Sequence, residues 1–192
     1  MIPVADYHMH TPLCGHAVDE PEQYARHAIE VGLKEIGFSD HAPFLKYPLP
    51  GITMNIAQLP QYHRMIESVA RRFSGRLSVK VGIEADYLPG YEEQTRVLLA
   101  GYPYDYVYGS VHFIDEWAFD NPEERARWNE EDVNQVYDRY YDLLAKAAES
   151  RLFDIMAHVD LVKKFGNRPD KDMTARVRQT ACIFKSAGVA IE

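Results

Sequence analysis

The chain reads as an α/β protein built on a parallel sheet, and three features predict this. Short apolar runs alternate with amphipathic stretches, which is the pattern of successive βα units. The loops richest in proline and glycine, Pro43–Thr53 and Ile114–Asn129, follow strand-like runs. Four histidines, His8, His41, His112 and His158, stand at or just past the ends of such runs. In a parallel β/α fold those ends converge on one face, however far apart they lie in sequence.

Taken in order, strands are expected at Val4–His8, Glu35–Ser39, Val79–Ile83, Tyr106–Ser110, Ile155–His158 and Val189–Ile191. Helices are expected at Pro21–Val31, Ala57–Arg72, Gly90–Ala100, Val133–Glu149 and Met173–Ser186. The first helix has a stop signal, because Gly32 suits the left-handed position that follows a helix end. The second begins after Asn55, a side chain that caps helices, and spaces Leu59, Met65, Ile66 and Val69 along one face. Val133, Val136, Tyr137, Tyr140, Leu143 and Leu144 make a strongly periodic face on the fourth. Six βα-like units are countable, with the last strand at the chain end. An open sheet tolerates that ending, whereas a closed barrel does not, because closure removes its edges.

The 192 residues are enough for one domain with a sizeable core, and no repeat or linker suggests a second. Apolar residues are 46% and charged residues 26%, the composition of a globular protein. A formal charge of -8 argues against general nucleic-acid binding, though local cations can still make a site attractive to phosphate. The two cysteines, Cys14 and Cys182, are too few for a disulfide framework and suggest reduced thiols in a cytoplasm. The opening Met1–Tyr7 lacks a basic segment followed by an apolar one, and no run of about 18 apolar residues occurs. A cytoplasmic location without membrane partners is therefore expected.

The histidines carry the chemistry. Imidazole is the commonest transition-metal ligand near neutral pH. His8 and His10 are two residues apart at a strand end, so both rings can turn to one side and grip one ion. An isolated HxH pair is common by chance; its company of His16, His41, His112 and His158 is what points to metal. Glu84 ends the apolar run Val79–Ile83, where a carboxylate is unwelcome unless paired or bound to a cation. It can also bridge two cations. His27 and His63 lie in helices beside Arg26 and Arg64 and read as surface residues. Asp6, Asp40 and Asp160 each stand where they could orient a histidine or cap a turn. Cys14 reads as a buried neutral thiol, with metal ligation as the alternative. No P-loop, GxGxxG turn or nucleophile elbow is present.

Five ordered motifs resemble those of the PHP (polymerase and histidinol phosphatase) superfamily, specifically its histidinol-phosphate phosphatases. They are Asp6–Thr11 with Cys14–Ala17, Gly37–Pro43, Gly82–Tyr87, Gly109–Phe113 and Ala157–Lys164. The resemblance covers the whole chain as one PHP domain and implies a distorted (β/α)7 TIM-like barrel. It implies up to three divalent metals, zinc, manganese or iron. His8, His10 and Glu84 would hold the first, Glu84, His112 and His158 the second, and His16 and His41 would serve the third. The family completes its set with an Asp-x-His motif on a last strand, and no histidine follows His158 here. The barrel is thus expected to be incomplete at the C-terminus, since such folds need roughly 250 residues.

The implied activity is hydrolysis of L-histidinol phosphate to L-histidinol and phosphate in histidine biosynthesis, through a metal-bridging hydroxide. Glu84, His112 and Asp40 are the expected catalytic residues. Lys163, Lys164 and Arg168 could hold phosphate oxygens. Phe44, Phe113 and Trp117 could pack on an imidazole ring, while Asp115, Glu116 and Glu84 would welcome an ammonium. Two rivals stand beside this reading: a PHP phosphoesterase for another small phosphomonoester or nucleotide, and an inactive metal-binding fragment. An exposed sheet edge would invite a homo-oligomer.

Overall fold

The structure, a computed structural model, describes residues 5–47 and 51–192. Val4, expected to open the first strand, and residues 48–50 of the first proline-rich loop lie outside them. The strands among the described residues are β1 (Asp6–Met9), β2 (Glu35–Phe38), β3 (Ser78–Asp86), β4 (Tyr106–Ser110), β5 (Phe113–Ile114), β6 (Trp117–Ala118), β7 (Ile155–Met156) and β8 (Ala190–Ile191). The helices are α1 (Pro21–Glu30), α2 (Leu59–Phe73), α3 (Glu92–Ala100), α4 (Val133–Glu149) and α5 (Thr174–Ala187). The expected α/β class and parallel pairing are what the chain adopts. Its residues fall into two compact units: Met1–Ala85 with Val97–Val107, and Asp86–Arg96 with Tyr108–Glu192.

In the first unit β1, β2 and β3 pair in parallel, with Asp6 opposite Ile36 and Glu35–Phe38 in continuous register with Ser78–Val81. Helix α1 starts on Pro21 and takes a bond from the Glu20 amide to the Gln23 side chain. It ends as its sequence indicated, with Gly32 at a φ of +89° and the Leu33 amide bonded back to Ala28. Asn55 caps a 3₁₀ turn, Ile56–Gln58, that leads into α2. Ile36, Phe38, Tyr62, Ile66 and Ile83 make the buried core. Gly37 and Gly82 are required by close approach: a Cβ on either would stand 2.3 Å from the Tyr106 side chain, its hydroxyl oxygen for Gly37 and its ring for Gly82. That ring fills the space, and its hydroxyl donates to the Tyr7 carbonyl at 2.6 Å.

His63 corrects the surface reading. It is 5% exposed, stacked on Tyr102 with ring centroids 4.3 Å apart and tilted against Tyr104 at 4.8 Å. Arg64 beside it is exposed, so the flanking charge was a poor guide to the ring's own direction. His27 is exposed, as read.

In the second unit the end of β4 from Tyr108 on, β7 and β8 pair in parallel, Tyr108 with Ile155 and Met156 with Ile191. Asp132 caps α4, accepting from the Asn134 amide at 2.8 Å. The helix buries Val136, Tyr137, Tyr140 and Leu144 and packs on α5. The loop expected at Ile114–Asn129 contains more order than its composition suggested. β5 and β6 form an antiparallel hairpin around Asp115, at a φ of +58°, and a 3₁₀ stretch follows at Pro122–Asn129. Asp tolerates that left-handed turn better than most residues. Trp117 is fully buried against Phe119 and Trp128, so it belongs to the core rather than to a ligand surface. Among the described residues, no helix is long and apolar enough to cross a membrane.

Candidate metal centre

In the first unit the parallel pairing of β2 and β3 extends past their ends. His41 forms a bridge with Glu84, whose backbone is held between Asp40 and Ala42 by bonds of 3.0 and 2.7 Å. This sets the Glu84 carboxylate, with no exposed side-chain surface, against three imidazoles. One of its oxygens lies 3.0 Å from His41 Nδ1, 3.2 Å from His8 Nε2 and 3.7 Å from His10 Nε2. The alternation that pairs His8 with His10 therefore brings both to one carboxylate oxygen. His16 is exposed, with its ring centroid 4.7 Å from His41 and 5.6 Å from His10.

The donor set fits a divalent cation. Donors placed about 2.1 Å from a tetrahedral ion stand about 3.4 Å from one another, the scale of these separations. Burial, then the neighbouring His41, lower His10 to about 3, so its ring is neutral at pH 7 and has a lone pair to give. A cation bound here would add a charge partner for the buried Glu84 carboxylate.

Asp40, expected among the catalytic residues, stands just past the end of β2. It is fully buried, and its oxygens accept from the Thr11 amide at 2.6 Å and the Thr11 hydroxyl at 2.5 Å. This clasp ties the loop after β1, which carries His10 and His16, to the end of β2. Burial raises Asp40 to about 7 against the opposing bonds from Thr11. Cys14 is also buried, its thiol pushed up to about 12 by desolvation and then by Asp40. It is a neutral thiol in this environment, as its sequence context suggested. The Asp6 carboxylate accepts from the His8 amide, a turn-capping role.

In the second unit His112 and His158 meet edge to face, with centroids 5.1 Å apart. Asp86, whose side chain is 2% exposed, accepts from the His112 amide at 3.0 Å and lies 3.0 and 3.1 Å from its Nδ1. A carboxylate there holds the proton on Nδ1 and turns Nε2 outward as a donor. Sequence reading missed this role for Asp86. The available signal was the spacing Glu84-x-Asp86, two acids on one strand face. His158 has a φ of +29°, uncommon for a residue with a Cβ, while Tyr140 donates to its carbonyl at 3.2 Å.

The expected phosphate-holding cations lie in the loop after β7. Lys163 pairs with Asp160 at 3.3 Å and Lys164 with Asp120 at 3.0 Å. Arg168 donates to the carbonyls of Lys163 and Asn167. Phe44 is half-buried, 6.3 Å from the His41 ring, whereas Phe113 is buried in β5.

Comparison with known proteins places the chain in a family. The PHP domain family matches residues 6–192. A protein of Deinococcus radiodurans named "probable histidinol-phosphatase" is 44% identical over 87% of this chain. The chain spans 64% of that relative's length. The Bacillus subtilis histidinol-phosphatase is 30% identical, with 95% of this chain and 75% of that protein aligned. The crystal structure of the Lactococcus lactis histidinol phosphate phosphatase, complexed with zinc, L-histidinol and phosphate, shares the fold. Its TM-score is 0.74 at 21% identity, covering 98% of this chain and 72% of that one. The five motifs, the strand-end histidines and these matches converge: the chain belongs to the PHP-domain family.

Proposed function

We propose that this chain is a metal-dependent phosphomonoesterase that hydrolyses L-histidinol phosphate to L-histidinol and phosphate. The observation that carries the reading is the buried Glu84 carboxylate facing His8, His10 and His41 within 3.7 Å. The names of the Deinococcus and Bacillus relatives, and the histidinol and phosphate bound by the Lactococcus protein, support the substrate.

His8, His10 and Glu84 are proposed to hold one divalent cation, His16 and His41 to serve another, and His112 and His158 to serve a third. Zinc, manganese and iron all suit such donors. Cations so held would supply Lewis acidity toward phosphoryl oxygens and lower the pKa of a water. The chain's own groups do the rest. Asp86 keeps His112 in one tautomer, and the Asp40–Thr11 clasp keeps the loop after β1 in place. Lys163, Lys164 and Arg168 are proposed to exchange their present partners for phosphate oxygens, and Phe44 to lie against the substrate imidazole.

The test is phosphate release from histidinol phosphate by the 192-residue chain with Zn²⁺ or Mn²⁺, beside a panel of other phosphomonoesters and nucleotides. Release that prefers histidinol phosphate, stops with chelator and vanishes in His112→Ala supports the proposal. Metal uptake without release from any substrate would sink it, and a preference for another phosphomonoester would reassign the substrate.

A further inference from the structure

We propose that Cys14 is the positioning residue for His10: its sulfur accepts the Nδ1 proton and leaves Nε2 bare toward Glu84. The proposal rests on the reading of His10 as a metal ligand and adds how that ligand is kept ready. It also assigns Cys14 a role other than ligation, although His10, Cys14 and His16 lie close enough together to hold an ion themselves.

The contacts of Cys14 and His10 fix the direction of the protons. Cys14 Sγ lies 3.3 Å from His10 Nδ1 and 3.4 Å from the Thr11 carbonyl oxygen. The sulfur also lies within hydrogen-bonding reach of the Asp40 carboxylate, which like a carbonyl can take the S–H and leave the sulfur an acceptor, and of the His16 and His41 amides, which can only donate to it. His10 Nε2 lies 3.7 Å from the Glu84 carboxylate. A carbonyl oxygen can only accept, and a thiol has one proton to give. If the S–H points to Thr11 or Asp40, the sulfur is left as an acceptor and Nδ1 must be the donor. The contact with the ring is then made as well. If the S–H points to Nδ1 instead, the sulfur gives nothing to either oxygen and the ring proton moves to Nε2. There it faces Glu84 across 3.7 Å, too far for a good hydrogen bond. The first arrangement satisfies more of the buried groups, and it is also the one that presents a lone pair to a cation.

The position of the sulfur is itself fixed. Cys14 is 0% exposed and follows Thr11 in the short turn Pro12–Cys14, where the Thr11 hydroxyl accepts from the Leu13 amide at 3.1 Å. Thr11 is in turn held by both Asp40 oxygens. Gly15, at a φ of +79°, closes the turn and lets the chain continue to His16. The sequence Thr11-Pro12-Leu13-Cys14-Gly15 therefore serves as a small bracket that aims one imidazole. Metal-ligating histidines commonly give their other N–H to an oxygen acceptor, and here a sulfur takes that place.

The deciding measurement is a long-range ¹H–¹⁵N NMR spectrum of the metal-free 192-residue chain, which reports the tautomer of each histidine. His10 is expected with its proton on Nδ1; a proton on Nε2 overturns the proposal. Cys14→Ala should mix the tautomers and weaken Co²⁺ uptake at this site by roughly tenfold, the low end for loss of an orienting partner. Cys14→Ser, whose hydroxyl can both accept and donate, should restore the Nδ1 tautomer and most of the affinity. If Cys14→Ala does not fold, the wild-type spectrum and the serine variant still decide. Co²⁺ also reads ligation directly. A sulfur-to-cobalt charge-transfer band in the near ultraviolet, lost in Cys14→Ser, would make Cys14 a ligand and overturn the proposal. A chain with the expected tautomer that binds no cobalt would instead count against the proposed metal centre and leave the His10–Cys14 bond standing.

Discussion

The histidines of the two units are supported from opposite sides. In the first, Glu84 faces the outward nitrogens of His8 and His10, while the atom behind His10 is the sulfur of Cys14. In the second, a carboxylate stands behind the ring, with Asp86 on Nδ1 of His112. The same functional group thus does two jobs according to its side. In front of the ring, a carboxylate is placed where it would join the imidazoles in holding a cation. Behind the ring, it fixes the tautomer and makes the imidazole a stronger donor.

The sharpest way to break this comparison is to neutralise one carboxylate of each kind. Glu84→Gln should lower cation affinity by more than the roughly 100-fold that loss of an orienting group can cost. In chelator, the same variant keeps an amide oxygen toward the imidazoles, so its melting temperature should change far less than its cation affinity. Asp86→Asn should weaken uptake only about 10- to 100-fold, since the amide oxygen still accepts from Nδ1. Isothermal titration with Zn²⁺ and thermal melts of the metal-free chains measure both. Equal losses of affinity in the two variants would mean that front and back placement carry no such distinction.

This asymmetry marks what could be read from sequence and what could not. Strand-end placement of His8, His41, His112 and His158 was legible, because β-alternation and short apolar runs locate strand ends. Glu84 was legible as an acid closing an apolar run. The partners behind the rings were not. Asp86 reaches His112 across 26 residues, and Asp40 reaches Thr11 across 29, and no local pattern reports such contacts. The β5–β6 hairpin escaped for a different reason: strands of two residues are too short to show alternation, and its turn holds Asp115 and Glu116 where a glycine would have signalled it. His63 was legible in principle. It lies four residues after Leu59 and three before Ile66, within the apolar stripe of α2, and the charge of Arg64 misdirected the reading.

A smaller effect tests the clasp that serves the first cluster. Asp40 titrates near 3.8 in an unfolded chain and near 7 when folded. Between those values the folded chain keeps a proton that the unfolded chain releases. Its contribution to stability therefore falls as pH rises from about 4 to about 7 and is level above that, by at most about 1.4 kcal/mol per pH unit. His10 runs the other way, with an ordinary value of 6.5 and a folded value of about 3. Its contribution falls as pH drops through that window, because only the unfolded chain takes up the proton. The two slopes oppose each other where they overlap. Asp40→Asn removes one of them, so the melting temperature of wild type minus variant, measured in chelator, should decline from pH 4 to pH 7. A difference that stays constant across this range would show that Asp40 is ionised throughout.

The smallest effect comes from the one buried histidine, among the described residues, that belongs to neither cluster. His63 is buried between tyrosine rings, and its Nε2 has no hydrogen-bond partner among the described residues. Burial lowers its pKa, so it sits in the fold as a neutral ring with one unsatisfied nitrogen. Such a group costs about 1–3 kcal/mol of desolvation that an apolar ring does not pay. Phenylalanine keeps the stacking area on Tyr102 and Tyr104 and drops the polar atoms. His63→Phe should therefore raise the melting temperature, by about 2–4 °C for each kcal/mol recovered in a chain of this size. Metal uptake and phosphate release should not change, because among the described residues the ring reaches the strand ends only through its edge contact with Tyr62. A lower melting temperature would mean that Nε2 is satisfied by an ordered water, and a loss of metal would mean that the aromatic cluster under α2 supports the first unit's histidines after all.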